Sequence, residues 1–251
     1  MGRITTPLQK MGATILGRQH GELAPLAISG GGLMPISYKT PVASAQIKSS
    51  ILLAGLFADG RTEVIEPAGS RDHTERMLTY LGAEVAVSDL AVSVCGLPQL
   101  IGKEVDVPGD ISSAAFFLVA TAIAAKGQLT IKDVGINPTR TGIIDVLREM
   151  GAGIEVKNIR DSNVEPIADL VVTASKLKGV RVGGEMIPRL VDEIPVLAVA
   201  AACADGITEI RDAAELKLKE SNRLSAICQG LAKMGANVQE LPDGLRIRGG
   251  T

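Results

Sequence analysis

Four stretches of the chain share one pattern: a helical run meets a bulky apolar residue, then Gly and Ala, then strand-forming residues. They are MGATI at 11–15, LGAEV at 81–85, MGAGI at 150–154 and MGANV at 234–238. Repetition of this kind constrains the fold more than any single motif, because each copy must be one supersecondary unit packed on its neighbours. Glycine at the stop has a physical reason. A helix often ends in a left-handed residue, and glycine adopts that conformation without a Cβ penalty.

A second element recurs between these stops. A small, apolar helix ends in a Gly turn and enters a short strand, in LLAGLFADGRTEVI (52–65), LVATAIAAKGQLTI (118–131) and LAVAAACADGITEI (197–210). The order is helix A, Gly turn, strand, loop, helix B, Gly-Ala stop, strand. Helix A is apolar nearly all round and is expected to be buried. Helix B, as in RDHTERMLTYLGA, carries charge on one face and is expected to be amphipathic. The fold class is therefore α/β, with a repeat of about 70 residues. It is not a dinucleotide-binding sheet: GGG at 30–32 is a lone glycine run, and no GxxxxGK[ST] occurs.

Composition removes several classes of function. The net charge is -2, so no basic field exists to attract nucleic acid or an acidic membrane. Aromatic residues are 2% of the chain, too few for a base-stacking platform. Cys95, Cys203 and Cys228 have no close spacing and are expected to be buried free thiols of a reducing compartment. His20 and His73 are the only histidines, so no zinc constellation and no metal site is expected. The longest apolar runs, near 114–125 and 194–204, fall well short of the roughly 20 residues of a membrane span. The first residues lack a signal-peptide core. The expected location is the cytoplasm.

Polar residues gather where the repeated helices begin. Ser44, Gln46 and Lys48 open one A helix, and Ser70, Arg71, Asp72 and His73 open its B helix. Further along come Asp110, Ser112 and Ser113, then Arg140, then Arg189, Asp192 and Glu193, then Lys217, Lys219, Glu220 and Arg223. Ser and Asp at such places can be N-caps, and capping is the plainer reading of PGDISS. Cations at a helix start oppose the dipole. Lys48, Lys219 and Arg223 make sense there if an anion sits among them, at helix ends that present unpaired N–H groups. A solvated face remains the alternative. Helix starts of like chemistry suggest a shared cleft for a small, multiply charged anion. Asp192 and Glu220 are then candidate proton-transfer groups, or else a cap and a surface ion pair.

SAQIKS, EPAGSRDHTERML, NPTRTG, VDEIP and KLKESNRLSA resemble, in order and spacing, the EPSP synthase (3-phosphoshikimate 1-carboxyvinyltransferase) family over essentially the whole chain. SAQ and RDHTE resemble the bacterial branch that includes glyphosate-insensitive enzymes. The related UDP-N-acetylglucosamine carboxyvinyltransferases carry a reactive cysteine in a Gly-rich loop, a setting none of these three cysteines has. The resemblance implies βαβαββ units in two lobes with helix N-termini facing the cleft, here 1–106 and 107–251. It implies transfer of a carboxyvinyl group from phosphoenolpyruvate to the 5-hydroxyl of shikimate 3-phosphate, in aromatic amino-acid biosynthesis, with no cofactor and no metal.

By the same resemblance, Ser44 and Ala45 would hold the shikimate phosphate and Gln46 would reach both substrates. Arg71 and Lys219 match contacts to shikimate 3-phosphate, and Arg223 matches an arginine on phosphoenolpyruvate. Asp192 matches the acid/base group at the 5-hydroxyl. Glu220 matches the group that handles the methylene proton, with Lys219 beside it. The chain departs from the family pattern in several places. It lacks the Lys-Ser segment, the Asn-Ala-Gly loop, the Arg before Met1 and the Asp-His-Arg segment, and Asn222 replaces the usual Asp. Each charged contact is worth about 1.5–3 kcal/mol, so this chain alone is expected to turn over poorly or not at all. The alternative is a non-catalytic anion-binding or structural fragment. Either way, a complementary chain segment or self-association is an expected partner.

Overall fold

A computed structural model describes residues 1–162 and 164–250. The chain divides into two compact units, Met1–Val105 and Asp106–Thr251. The first contains α1 (Gly2–Lys10), β1 (Thr14–Gly17), the single turn α2 (Arg18–Gly21), β2 (Leu23–Ser29), β3 (Ser37–Lys39), α3 (Ala45–Gly55), β4 (Arg61–Ile65), α4 (His73–Tyr80), β5 (Val85–Ser88) and β6 (Ala91–Cys95). The second contains α5 (Ile111–Ala122), β7 (Gln128–Gly135), α6 (Gly142–Glu149), β8 (Gly153–Ser162), β9 (Glu165–Thr173), β10 (Arg181–Val182), α7 (Met186–Leu190), α8 (Ile194–Cys203), β11 (Ile207–Ile210), a 3-10 turn (Ala214–Leu218), α9 (Arg223–Lys233), β12 (Asn237–Leu241) and β13 (Gly244–Arg248).

The repeat in the sequence is a repeat in topology. In the first unit the sheet order is β3-β4-β6-β5, with β3 parallel to β4 and the other pairs antiparallel. In the second, β10-β11-β13-β12 repeats that arrangement strand for strand. Each is a βαβαββ unit, with a helix crossing between the parallel strands as such pairs require. A third copy, β7-β9-β8, has its first strand reduced to a parallel bridge between Gly109 and Val134.

The Gly-Ala stops end helices as expected. Gly12, Gly82, Gly151 and Gly235 follow α1, α4, α6 and α9 with φ between +91° and +101°. At each stop the following alanine N–H bonds back to a carbonyl in the helix's last turn. Each unit has its own core. Ile47, Ile51 and Leu52 of α3 pack with Val64, Leu78, Val92 and Val94. Leu118, Ile143, Leu147, Leu170, Leu197, Leu245 and Ile247 anchor the other.

Two expectations are corrected. The A helices are not buried all round: Leu53 of α3, Phe116 and Phe117 of α5 and Val199 of α8 are exposed, the two phenylalanines by about 60%. Their inner faces pack on the sheet, and among the described residues nothing covers the outer ones. The cysteines are free, but Cys203 at the last position of α8 is exposed, and Cys95 and Cys228 are half-buried. No helix among the described residues is long and apolar enough to cross a membrane.

Candidate functional site

In the first unit the candidate residues sit where α3 and α4 begin. Ser44 is the N-cap of α3, in extended backbone (φ -155, ψ 111), yet its hydroxyl makes no cap bond. Ala45 is half-buried and Gln46 exposed on the first turn. The helix's first backbone bond runs from Lys48 N–H to the Ser44 carbonyl. The N–H groups of Ala45, Gln46 and Ile47 therefore lack intrahelical acceptors and carry the positive end of the dipole. Arg71 is half-buried in the loop before α4. Beside it, Asp72 accepts from Arg76 Nε at 2.8 Å.

Lys48 is not a ligand cation. It is 2% exposed, and its Nζ lies 3.0 Å from Glu66 Oε2 and 2.6 Å from Glu75 Oε1. The same nitrogen reaches the Ser70 carbonyl at 3.5 Å. Glu66 accepts from Ser44 N–H at 3.1 Å and from Ser70 Oγ at 2.9 Å. The anion that a lysine inside α3 requires is supplied by the protein. Glu66 and Glu75 had no assigned role in the sequence. The signal for them was a lysine set between Ile47 and Ile51 on a helix with an apolar inner face, which cannot be buried without a carboxylate.

In the second unit the expected caps are in place. Asp110 accepts from the N–H groups of Ser112 and Ser113, both at 3.2 Å. Arg140 Nη2 donates to Ser112 Oγ at 2.6 Å and lies 3.3 Å from Asp110. Ser112 Oγ in turn donates to buried Glu193, the N-cap residue of α8. Arg189 braces the NPTRTG loop, donating to the Pro138 carbonyl at 2.9 Å and to Asp145 at 2.7 Å. Arg140 and Arg189 are thus bonded within the protein.

Asp192, Glu220 and Arg223 come together. Arg223, first residue of α9, donates to Glu220 Oε1 through Nη2 at 2.6 Å and to Asp192 Oδ1 through Nη1 at 3.2 Å. Glu220 is held below the usual glutamate range, first by a bond from its own backbone N–H and then by the Arg223 guanidinium. Arg223 is raised in return, chiefly by Glu220. Lys219 ends the 3-10 turn rather than opening α9, and its Nζ is 3.3 Å from Glu215. Asn222 is the N-cap of α9, its side chain accepting from Ser225 N–H at 3.2 Å. Lys48, Lys219 and Arg223 each have a carboxylate of the protein beside them. Two hollows in the second unit, one beside Arg160 and Asp133 and one beside Lys176 and Asp205, include none of the candidate residues.

Repeated βαβαββ units, with polar residues concentrated at their helix starts, define an α/β protein of the enolpyruvyl transferase class. The sequence profile of EPSP synthase (3-phosphoshikimate 1-carboxyvinyltransferase) matches residues 1–251, and the chain belongs to that family. It is 60% identical over 249 residues to the 3-phosphoshikimate 1-carboxyvinyltransferase of Desulforudis audaxviator, covering 99% of this chain and 58% of that protein. The relative of the same name from Geobacillus kaustophilus is 56% identical over 251 residues, 100% of this chain and 59% of that one. The EPSP synthase structure from Acinetobacter baumannii superposes with a TM-score of 0.88 at 46% identity, over 100% of this chain and 57% of that one. The chain thus spans a little under three-fifths of the length of these relatives.

Proposed function

We propose that this chain is part of an enzyme that transfers the carboxyvinyl group of phosphoenolpyruvate to the 5-hydroxyl of shikimate 3-phosphate. Such an enzyme serves aromatic amino-acid biosynthesis in the cytoplasm. One observation carries the reading: Ser44 stands at the N-cap of α3 with its hydroxyl uncommitted, whereas Asp110 and Asn222 at other helix starts spend their side chains on capping. A serine at that position beside three free N–H groups suits a phosphate. Ser44, Ala45 and Gln46 hold the phosphorylated substrate, with Arg71 adding charge from the next loop.

The reaction needs no cofactor. The 5-hydroxyl adds to C2 of the enolpyruvate while C3 gains a proton, and phosphate then leaves as C3 gives the proton up. Asp192 takes the hydroxyl proton and Glu220 serves the methylene carbon, with Lys219 on shikimate 3-phosphate and Arg223 on phosphoenolpyruvate. The Arg223 bridge supports this assignment, since one guanidinium contacts both carboxylates and orients them. A partner is also part of the reading. The exposed Phe116 and Phe117 favour association, with a complementary segment or a second copy.

Calorimetric titration of the 251-residue chain with shikimate 3-phosphate tests the reading. Saturable binding that Arg71→Ala weakens about tenfold or more, the worth of one charged contact, is the expected result. A folded chain that binds nothing points instead to a structural fragment.

A further inference from the structure

In the first unit, the residues assigned to shikimate 3-phosphate lie on two separate segments, the start of α3 and the Ser70–Arg71 loop. Both are polar and partly exposed, and a site built from them needs something to fix their spacing. Glu66 does this with one carboxylate. Its Oε1 accepts the Ser44 N–H at 3.1 Å and its Oε2 accepts the Ser70 hydroxyl at 2.9 Å. Glu66 is itself 4% exposed and follows β4 directly, so its origin is the rigid sheet of the first unit.

A carboxylate at this place has a cost, because it repels a phosphate held at the same helix end. Lys48 and Glu75 complete the cluster: Lys48 contacts both carboxylates and the Ser70 carbonyl, while Glu75 lies in the first turn of α4. Glu66 also consumes the N–H of Ser44, fixing the extended backbone from which the next three N–H groups emerge together.

We propose that Glu66 is the positioning residue of the phosphate site, clamping the start of α3 and the Ser70–Arg71 loop in one register, with Lys48 screening its charge. The proposal rests on the role given above to Ser44, Gln46 and Arg71. Glu66→Ala removes both anchors but leaves Lys48 with Glu75, a neutral pair, so the unit keeps a balanced interior. Glu66→Gln keeps an acceptor for Ser44 but sets its amide N–H groups against Lys48, so it retains only part of the clamp.

The test is calorimetric affinity for shikimate 3-phosphate, with a thermal melt and amide NMR spectra of each variant. Glu66→Ala should bind about tenfold more weakly or worse, with Glu66→Gln falling between it and the unmodified chain. In the ligand-free spectra, Glu66→Ala should move the amides of both Ser44 and Arg71. Val64→Ala, a core truncation on the same strand, should lower the melting temperature and leave affinity within about threefold. The proposal is overturned if Glu66→Ala binds like the unmodified chain, or if Val64→Ala loses as much affinity for the same loss of stability. Absence of binding by the unmodified chain overturns the functional reading and this role with it, and is seen before any substitution is made.

Discussion

At the scale of single residues, the account turns on where charge is spent. Lys48 is buried because Glu66 and Glu75 neutralise it, and a buried ion stands only with its partners. Lys48→Met should destabilise the first unit by about 3–5 kcal/mol in urea denaturation, since two carboxylates remain without their cation. The uncharged triple variant Lys48→Met, Glu66→Gln, Glu75→Gln should recover most of that loss. Asn222→Ala should cost about 1 kcal/mol by the loss of an N-cap, while Asn222→Asp should change stability little. Glu220 gives a pH test. Its carboxyl is lowered in the folded state, so the stability it adds is present above the ordinary glutamate range and is lost as pH falls through the lowered value. A 13C titration should find its midpoint below that range, and Arg223→Ala should move it up. The residue types at these positions were legible in the sequence. Their partners were not, because Glu66 and Glu75 reach Lys48 only after β4 and α4 fold over α3.

At the scale of elements, the sequence was most readable. The Gly-Ala stops and the Gly turns marked helix ends by their chemistry alone, and the positive φ of Gly82, Gly151 and their counterparts explains why glycine is there. Gly151→Ala should lower stability by about 1–2 kcal/mol, measured by chemical denaturation, because alanine is strained in this left-handed conformation and its Cβ would sit 3.4 Å from the Lys176 carbonyl oxygen. The cap at Asp110 was likewise marked by residue type, whereas Asn222 stood out only as a departure from the family pattern. The misreading concerned the A helices. An apolar helix signals burial, but not what buries it, and Phe116 and Phe117 on α5 stay largely exposed among the described residues. The starts of α3 and α9 were placed correctly to within a turn, except that Lys219 is the C-cap of the 3-10 turn before α9.

At the scale of the whole molecule, one βαβαββ plan is used repeatedly, and the candidate residues fall at equivalent places in it. The 251-residue chain spans a little under three-fifths of the length of its relatives. Expressed by itself, it should release phosphate from phosphoenolpyruvate and shikimate 3-phosphate slowly or not at all in a coupled assay. Addition of the complementary region of a relative should raise that rate. The central claim is narrower: the open amino end of α3, with the neighbouring Ser70–Arg71 loop, receives the phosphorylated substrate. Amide NMR of the chain during titration with shikimate 3-phosphate addresses it residue by residue. The account predicts saturable shifts at Ala45, Gln46, Ile47 and Arg71 as a group; shifts confined to other surfaces, or none in a folded chain, would contradict it.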